Sequence, residues 1–397
     1  GNRMLIGGWG RYPMIEAALT YPLSADEIKL NLLKGEAFCG IARGLGRSYG
    51  DSSLAPQMIS VDRINRFHSF DHNTGCLTCD TGVRIADILN IFAPKGWFPK
   101  VTPGTKHVTV GGAIASDVHG KNHHLTGSFC DHLLSFRIML ASGDVLNCSV
   151  SENVDLFRAT CGGMGLTGII LDATFMLQKI ESSFVDQATY KAANLKECLE
   201  FFDEHVTADY SVAWIDCLQR GESLGRSLLM LGEHSKDAGF VEKSKPGPSI
   251  PFNFPKFALN RYSVSLFNQL YYSRVRSERQ ERRVHYEPYF YPLDGIRNWN
   301  RLYGSSGFVQ YQFAIPKDAG LSGMTLLLEK IAASGTGSFL SVLKAFGKGN
   351  ENLLSFPFEG YTLALDFKVN QKTLKLLTEL DVIVSDYGGR VYLTKDA

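Results

Sequence analysis

The stretch Arg43-Gly44-Leu45-Gly46-Arg47-Ser48-Tyr49-Gly50-Asp51 decides how the fold is read. Its glycines allow a tight turn that aims successive backbone N–H groups at one spot, which cradles a phosphate without a charged side chain. Gly46, Ser48 and Gly50 also satisfy G-x-S-x-G, the nucleophile elbow of serine hydrolases, which demands a helix directly after the serine. Asp51-Ser52-Ser53-Leu54-Ala55-Pro56 follows instead, with no helical spacing of apolar residues. Gly44, Gly46 and Gly50 approach the dinucleotide fingerprint G-x-G-x-x-G, but the last spacing is one residue too long and the helix is again missing. A glycine-rich turn without a ligand stays open on this segment alone. Short apolar runs at residues 37–42 and 59–61 flank it, which predicts strand, loop, strand.

Two further segments share this character. Pro103-Gly104-Thr105 leads past Val108 into Val110-Gly111-Gly112-Ala113-Ile114-Ala115-Ser116-Asp117-Val118-His119-Gly120-Lys121-Asn122-His123-His124. Cys161-Gly162-Gly163-Met164-Gly165-Leu166-Thr167-Gly168-Ile169-Ile170 then enters a strand. Small residues at this density let the backbone approach a flat or phosphorylated ligand. His119, His123 and His124 invite a metal reading, but Gly120 interrupts helical geometry and no carboxylate or cysteine pattern completes a ligand set, so no metal is expected. Three such segments are more than turns alone explain.

Between them, residues 76–83 read as extended, Ile85, Ile88, Leu89 and Phe92 as the apolar face of a helix, and 97–101 as a strand, one βαβ-like unit. Residues 133–148 predict a hairpin turning at Ser142-Gly143-Asp144. Near residue 180 the glycine-rich turns thin out, and strands at 184–190 and 211–216 around a helix at 195–205 predict a second α+β region. Residues 244–255 are proline-rich and read as a surface loop. Residues 274–283 carry five arginines and two glutamates, which read as a solvated helix face or, functionally, as a lid or a contact for a phosphate or membrane headgroup.

A chain of 397 residues exceeds one economical core and predicts two domains. Its 44% hydrophobic and 20% charged residues are ordinary for a soluble protein, and no apolar run is long enough to span a bilayer. With 41 basic and 40 acidic residues there is no global field to attract nucleic acid. The eight cysteines, Cys76 and Cys79 among them, read as reduced and mostly buried, because a core of this size needs no disulfides. The opening GNRMLIGGWGRYP lacks a charged region followed by an apolar one, so a cytoplasmic location is expected, with room for peripheral contact at a membrane.

The order RGLGRSYGD, PGT with VGGAIASDVHGKNHH, then GGMGLTGII resembles the FAD-binding domain of the vanillyl-alcohol oxidase and p-cresol methylhydroxylase superfamily. Within it the chain is most similar to the decaprenylphosphoryl-ribose oxidases, through HGKNHH, Trp299-Asn300-Arg301 with Tyr303-Gly304, Gln310-Tyr311-Gln312-Phe313, and Tyr392 with Lys395-Asp396. The resemblance implies an α+β fold of two domains: FAD-binding over residues 1–180, a substrate domain built on an antiparallel sheet over 181–388, and a return to the FAD domain at 389–397. Relatives continue beyond that point with a segment that packs back on the flavin domain.

By this resemblance FAD would lie against Arg43, Gly44, Leu45, Gly46, Arg47, Ser48 and Tyr49, against Pro103, Gly104, Thr105 and Val108, and against Gly111, Gly112, Ala113, Ser116, Val118, His119 and Asn122. Gly163, Gly165, Gly168, Ile169 and Tyr392 complete the set. Many members attach the flavin to a histidine in the first loop, where this chain has Arg47, and no cysteine occupies the second attachment site, so FAD is expected to be held without a covalent bond. Lys395 is implied as the base or as a group orienting the substrate hydroxyl, with a simple hydrogen-bonding role left open. His119 would orient Lys395 or the substrate. Tyr49, Lys121, Trp214, Tyr291, Gln310, Gln312 and Lys344 would line the substrate pocket, Lys344 or the arginine-rich segment meeting a phosphate.

The implied reaction oxidises a ring secondary hydroxyl of a polyprenyl-phosphate-linked pentose to a ketone, the 2-hydroxyl of a ribose, as the first half of an epimerisation to the arabinose form. A separate NAD(P)H-dependent reductase would complete it. An aldonolactone or alditol oxidase passing electrons to oxygen is the alternative, and a flavin-binding protein without activity is another. Ala364 stands where the family has a cysteine, so reactivity tied to that thiol should be absent.

Overall fold

The computed structural model describes residues 3–7, 14–20, 41–43, 57–60, 64–241, 260–292, 294, 308–336, 341–347 and 359–391. The first loop from Gly44 to Tyr49, the Trp299–Gly304 motif, and Tyr392 with Lys395 lie outside the described residues.

A four-stranded sheet opens the chain: β1 (Arg3–Gly7), β2 (Met14–Thr20), β3 (Ile41–Arg43) and β4 (Gln57–Ser60), in the order β1-β2-β4-β3. β4 runs parallel to both β2 and β3. The second sheet holds β5 (Phe67–Phe70), β6 (Cys76–Asp80), β7 (Trp97–Pro99), β8 (Leu133–Met139), β9 (Val145–Ser149) and β10 (Ile169–Lys179). Its order is β5-β6-β10-β8-β9, with β7 also on β10. The helix α1 (Ile85–Phe92) forms because Ile85, Ile88, Leu89 and Phe92 recur on one face, and all four are buried in the core. The β6-α1-β7 unit does cross over as read, but its strands each pair antiparallel with β10 rather than with each other. The hairpin β8-β9 turns where expected, with Gly143 at φ +86°. Short helices α2 (Val110–Ala115), α3 (His123–Thr126) and α4 (Val154–Thr160) lie in the connections.

An eight-stranded sheet follows, ordered β14-β11-β13-β12-β16-β17-β15-β18 and antiparallel throughout. Its strands are β11 (Phe184–Ala192), β12 (Tyr210–Ile215), β13 (Ser227–His234), β14 (Arg279–His285), β15 (Phe308–Pro316), β16 (Val342–Phe346), β17 (Gly360–Lys368) and β18 (Arg390–Val391). Helices α5 (Leu195–Glu204), α6 (Arg261–Ser273), α7 (Tyr286–Phe290), α8 (Gly320–Ser334) and α9 (Gln371–Asp386) accompany it. Alternation along β15 sends Val309, Tyr311, Phe313 and Ile315 into a core shared with α5, α8 and α9, which turns Gln310, Gln312 and Ala314 to the opposite face.

Two local readings change. The arginine-rich residues read as a helix face contain the strand β14 instead, because pairing with β11 outweighs helix propensity; its exposed charges suit a sheet edge. Arg390 and Val391, read as part of the return to the first domain, pair with β15 in the eight-stranded sheet. No helix among the described residues is long and apolar enough to cross a membrane.

Candidate active site

The second and third glycine-rich segments converge. Gly162 N–H donates to Ile114 O at 3.0 Å and Met164 N–H to Ala115 O at 2.9 Å, binding the third segment to the second. β3, which leads into the first loop, lies beside β10, which leaves the third. Met164 (φ +58°) and Gly165 (φ +79°) form a left-handed pair at this junction. At Gly104 no atom lies within 4 Å of where a Cβ would stand, so its backbone faces space into which a flat ligand can lean, whereas a Cβ at Gly112 would crowd Thr109 Oγ1 at 3.2 Å. Asp294 ties the PGT loop down, accepting from Thr105 Oγ1 at 2.8 Å and from Lys106 N–H at 2.9 Å. These features fit FAD.

The polar face of the eight-stranded sheet closes over this region. Antiparallel register places Trp214 opposite Val342, Val342 opposite Ala364, and Ala364 opposite Gln312, one row across β12, β16, β17 and β15. Lys344 stands opposite Thr362 and Gln310 opposite Asp366 in flanking rows. Gln312 Nε2 donates to His119 Nε2 at 3.0 Å and to Thr362 Oγ1 at 3.2 Å, while the Thr362 hydroxyl donates to Phe313 O at 2.9 Å. This chain assigns His119 Nε2 as an acceptor and puts its proton on Nδ1. Phe346 packs edge-on against His119 at 4.7 Å and tilted against His123 at 4.4 Å.

Two lysines add cationic character. Lys121 is buried, donates to Phe290 O at 3.1 Å, and lies 5.8 Å from the centre of the Tyr289 ring. Burial first, and then the charge of Lys344, hold the Lys121 ammonium well below the usual lysine range. Burial pushes Lys344 down to about 8. Among the described residues no carboxylate forms an ion pair with either. His123, pushed down to about 4 by burial, is neutral at ordinary pH and accepts from Gly347 N–H at 3.1 Å. His124 bonds to Ala208 O. His68, Asp80 and Asp172 form a group with metal-like spacing, but Arg137 binds Asp172 while His68 and Arg66 N–H hold Asp80.

Comparison with known proteins now has a site to act on. Residues 19–149 match the model of an FAD binding domain. A decaprenylphosphoryl-β-D-ribose oxidase of Mycolicibacterium smegmatis is 36% identical over 98% of this chain and 88% of its own length. The chain belongs to the decaprenylphosphoryl-β-D-ribose oxidase family. It is an FAD-dependent oxidoreductase with the α+β fold of that superfamily. An uncharacterized protein from the mprA 5′ region of Streptomyces coelicolor is 32% identical over 79% of the chain and 88% of its own length. A D-arabinono-1,4-lactone oxidase of Yarrowia lipolytica is 31% identical over 38% of the chain and 30% of its own length.

For a decaprenylphosphoryl-β-D-ribose oxidase family member, the geometry gathers His119, Lys121, Gln310, Gln312 and Lys344 around the polar sheet face, with Trp214 at the end of the central row. Tyr291 is fully buried and bonds through its hydroxyl to Thr102 Oγ1 at 2.8 Å, beneath the PGT loop rather than on the row. Asn122 donates to Lys100 O at 2.7 Å, so its amide anchors the loop. Sequence reading missed Thr362, Phe346, Asp366 and Asp294. The alternation of Tyr361-Thr362-Leu363-Ala364-Leu365-Asp366-Phe367 would have assigned Thr362 and Asp366 to the polar face, whereas Asp294 carries no local signal.

Proposed function

We propose that this chain oxidises a ring secondary hydroxyl of a polyprenyl-phosphate-linked pentose to a ketone, the 2-hydroxyl of a ribose, as the first half of an epimerisation. The observation that carries it is the pair Lys121 and Lys344 beside His119 and Gln312: two lysines that pair with no carboxylate among the described residues suit a phosphate-bearing sugar, whose charge favours their protonated forms, better than a neutral lactone. The named activity of the Mycolicibacterium relative supports the same reading.

In this reading residues 1–180 hold FAD by contacts alone, and residues 181–388 supply the substrate wall. FAD, when bound, would supply the hydride acceptor. His119, held by Gln312, orients the reacting carbinol, Lys395 takes or positions the hydroxyl proton, and Lys121 and Lys344 hold the phosphate. Gln310 and Trp214 bound the sugar and the start of the lipid. A separate NAD(P)H-dependent reductase completes the epimerisation, and the enzyme meets its substrate at a membrane surface.

The test is loss of flavin absorbance on anaerobic titration with a short-chain polyprenylphosphoryl-ribose. Bleaching with that compound and none with free ribose or aldonolactones supports the reading. Equal bleaching by an aldonolactone would replace it with a lactone oxidase. Flavin released into the supernatant on acid precipitation supports non-covalent binding, and a yellow pellet contradicts it.

A further inference from the structure

We propose that α6 is a membrane-docking helix that seats the enzyme on an anionic lipid surface beside the pocket wall. This deepens the lipid-linked substrate reading and rests on it for its purpose. Asn260 caps the helix by accepting from Tyr262 and Ser263 N–H. Its inner face is pinned: Asn268 donates to Asp216 Oδ1, the Tyr272 hydroxyl donates to Ala192 O, and Val264 is buried. Its outer face is apolar yet exposed, with Tyr262 82%, Leu266 61% and Leu270 63% accessible at positions i, i+4 and i+8. Phe267 adds to the same side.

Charge selects the occupant. Arg279 pairs with Glu281 and Arg283 with Asp186, but Arg274, Arg276 and Arg282 form no ion pair among the described residues, and all three are exposed. Arg274 lies 4.0 Å over the Tyr271 ring, and the charge of Arg282 also reaches Tyr271. An apolar stripe about 12 Å long flanked by arginines that pair with no carboxylate among the described residues suits acyl chains below and anionic headgroups around it. Tyr271 packs 4.7 Å from Trp214, the end residue of the central row of the pocket wall. Docking through α6 therefore brings that wall to the surface in which a polyprenyl chain is embedded.

The test is co-sedimentation of the FAD-loaded full chain with phosphatidylcholine vesicles with and without phosphatidylglycerol. Wild type should sediment with the anionic vesicles and lose binding in high salt. The triple variant Tyr262→Ser, Leu266→Ser, Leu270→Ser should lose about tenfold or more in partitioning, with Tm and flavin spectrum unchanged. Arg274→Gln with Arg282→Gln should lose the preference for anionic lipid. Wild type staying in the supernatant, or the triple variant sedimenting as wild type does, would overturn the proposal. So would a dimer in solution that the triple variant dissolves, which would assign the stripe to a second copy. Bleaching by a soluble short-chain substrate without vesicles separates the two readings: its failure removes the substrate assignment, while sedimentation decides docking by itself.

Discussion

Gln312 Nε2 lies 3.0 Å from His119 Nε2, joining the eight-stranded sheet to the second glycine-rich segment. The bond sets the tautomer of a histidine at the candidate site, and Thr362 takes the other amide proton. Gln312→Leu removes both bonds while keeping comparable bulk. It is expected to lower kcat about tenfold, the worth of roughly one hydrogen bond, with a smaller change in KM and intact flavin bands. Stopped-flow bleaching measures this; unchanged kcat would detach His119 orientation from the chemistry.

Lys344 gives a pH signature. Its ammonium is intact below about pH 8 and lost above, whereas the unfolded side chain keeps its proton to about 10.5. Affinity for a phosphate-bearing sugar should therefore fall as pH rises through 8. Over the same window the free protein gains stability from this group, since the unfolded chain binds the proton that the folded one releases. KM measured against pH should show the step in wild type and lose it in Lys344→Gln.

Lys121 combines burial with a depressed proton affinity, so its charge is held at a cost. Lys121→Met relieves that cost and forfeits one hydrogen bond to Phe290 O, worth about 1 kcal/mol. Thermal unfolding should show Tm held or raised while KM rises about tenfold, roughly 1.4 kcal/mol of lost binding. A lowered Tm with unchanged KM would assign Lys121 a structural role alone.

Gly163 has no room for a side chain: a Cβ would stand 2.2 Å from Ala159 O. Gly163→Ala should cost about 1–3 kcal/mol through displaced backbone and weaken FAD retention. Unfolding with and without added FAD checks both effects, and a variant that binds FAD normally would show that the third segment is not part of the cradle.

Lys395→Ala should retain flavin and lose substrate-dependent bleaching. Full bleaching in that variant would remove Lys395 from the mechanism.

Much of the fold was legible because its signals are local. The apolar spacing of α1 and the turn at Gly143 each follow from residues within one element, where sterics and a single buried face act. The arginine-rich stretch misled for the same reason: charge content is local, but β11 supplies the pairing that makes β14 a strand.

The sequence by itself determined the cofactor class, through the order of its glycine-rich segments, and the kinds of side chain available for chemistry. Only the tertiary structure decided which of them meet. β12, β15, β16 and β17 follow that order along the chain, yet they lie in the sheet as β12-β16-β17-β15. Trp214, Val342, Ala364 and Gln312 thus form one row only through long-range strand pairing. Register of that kind is set by which faces the whole molecule can bury together, since a one-residue slip of β15 would turn Gln310 and Gln312 into the core.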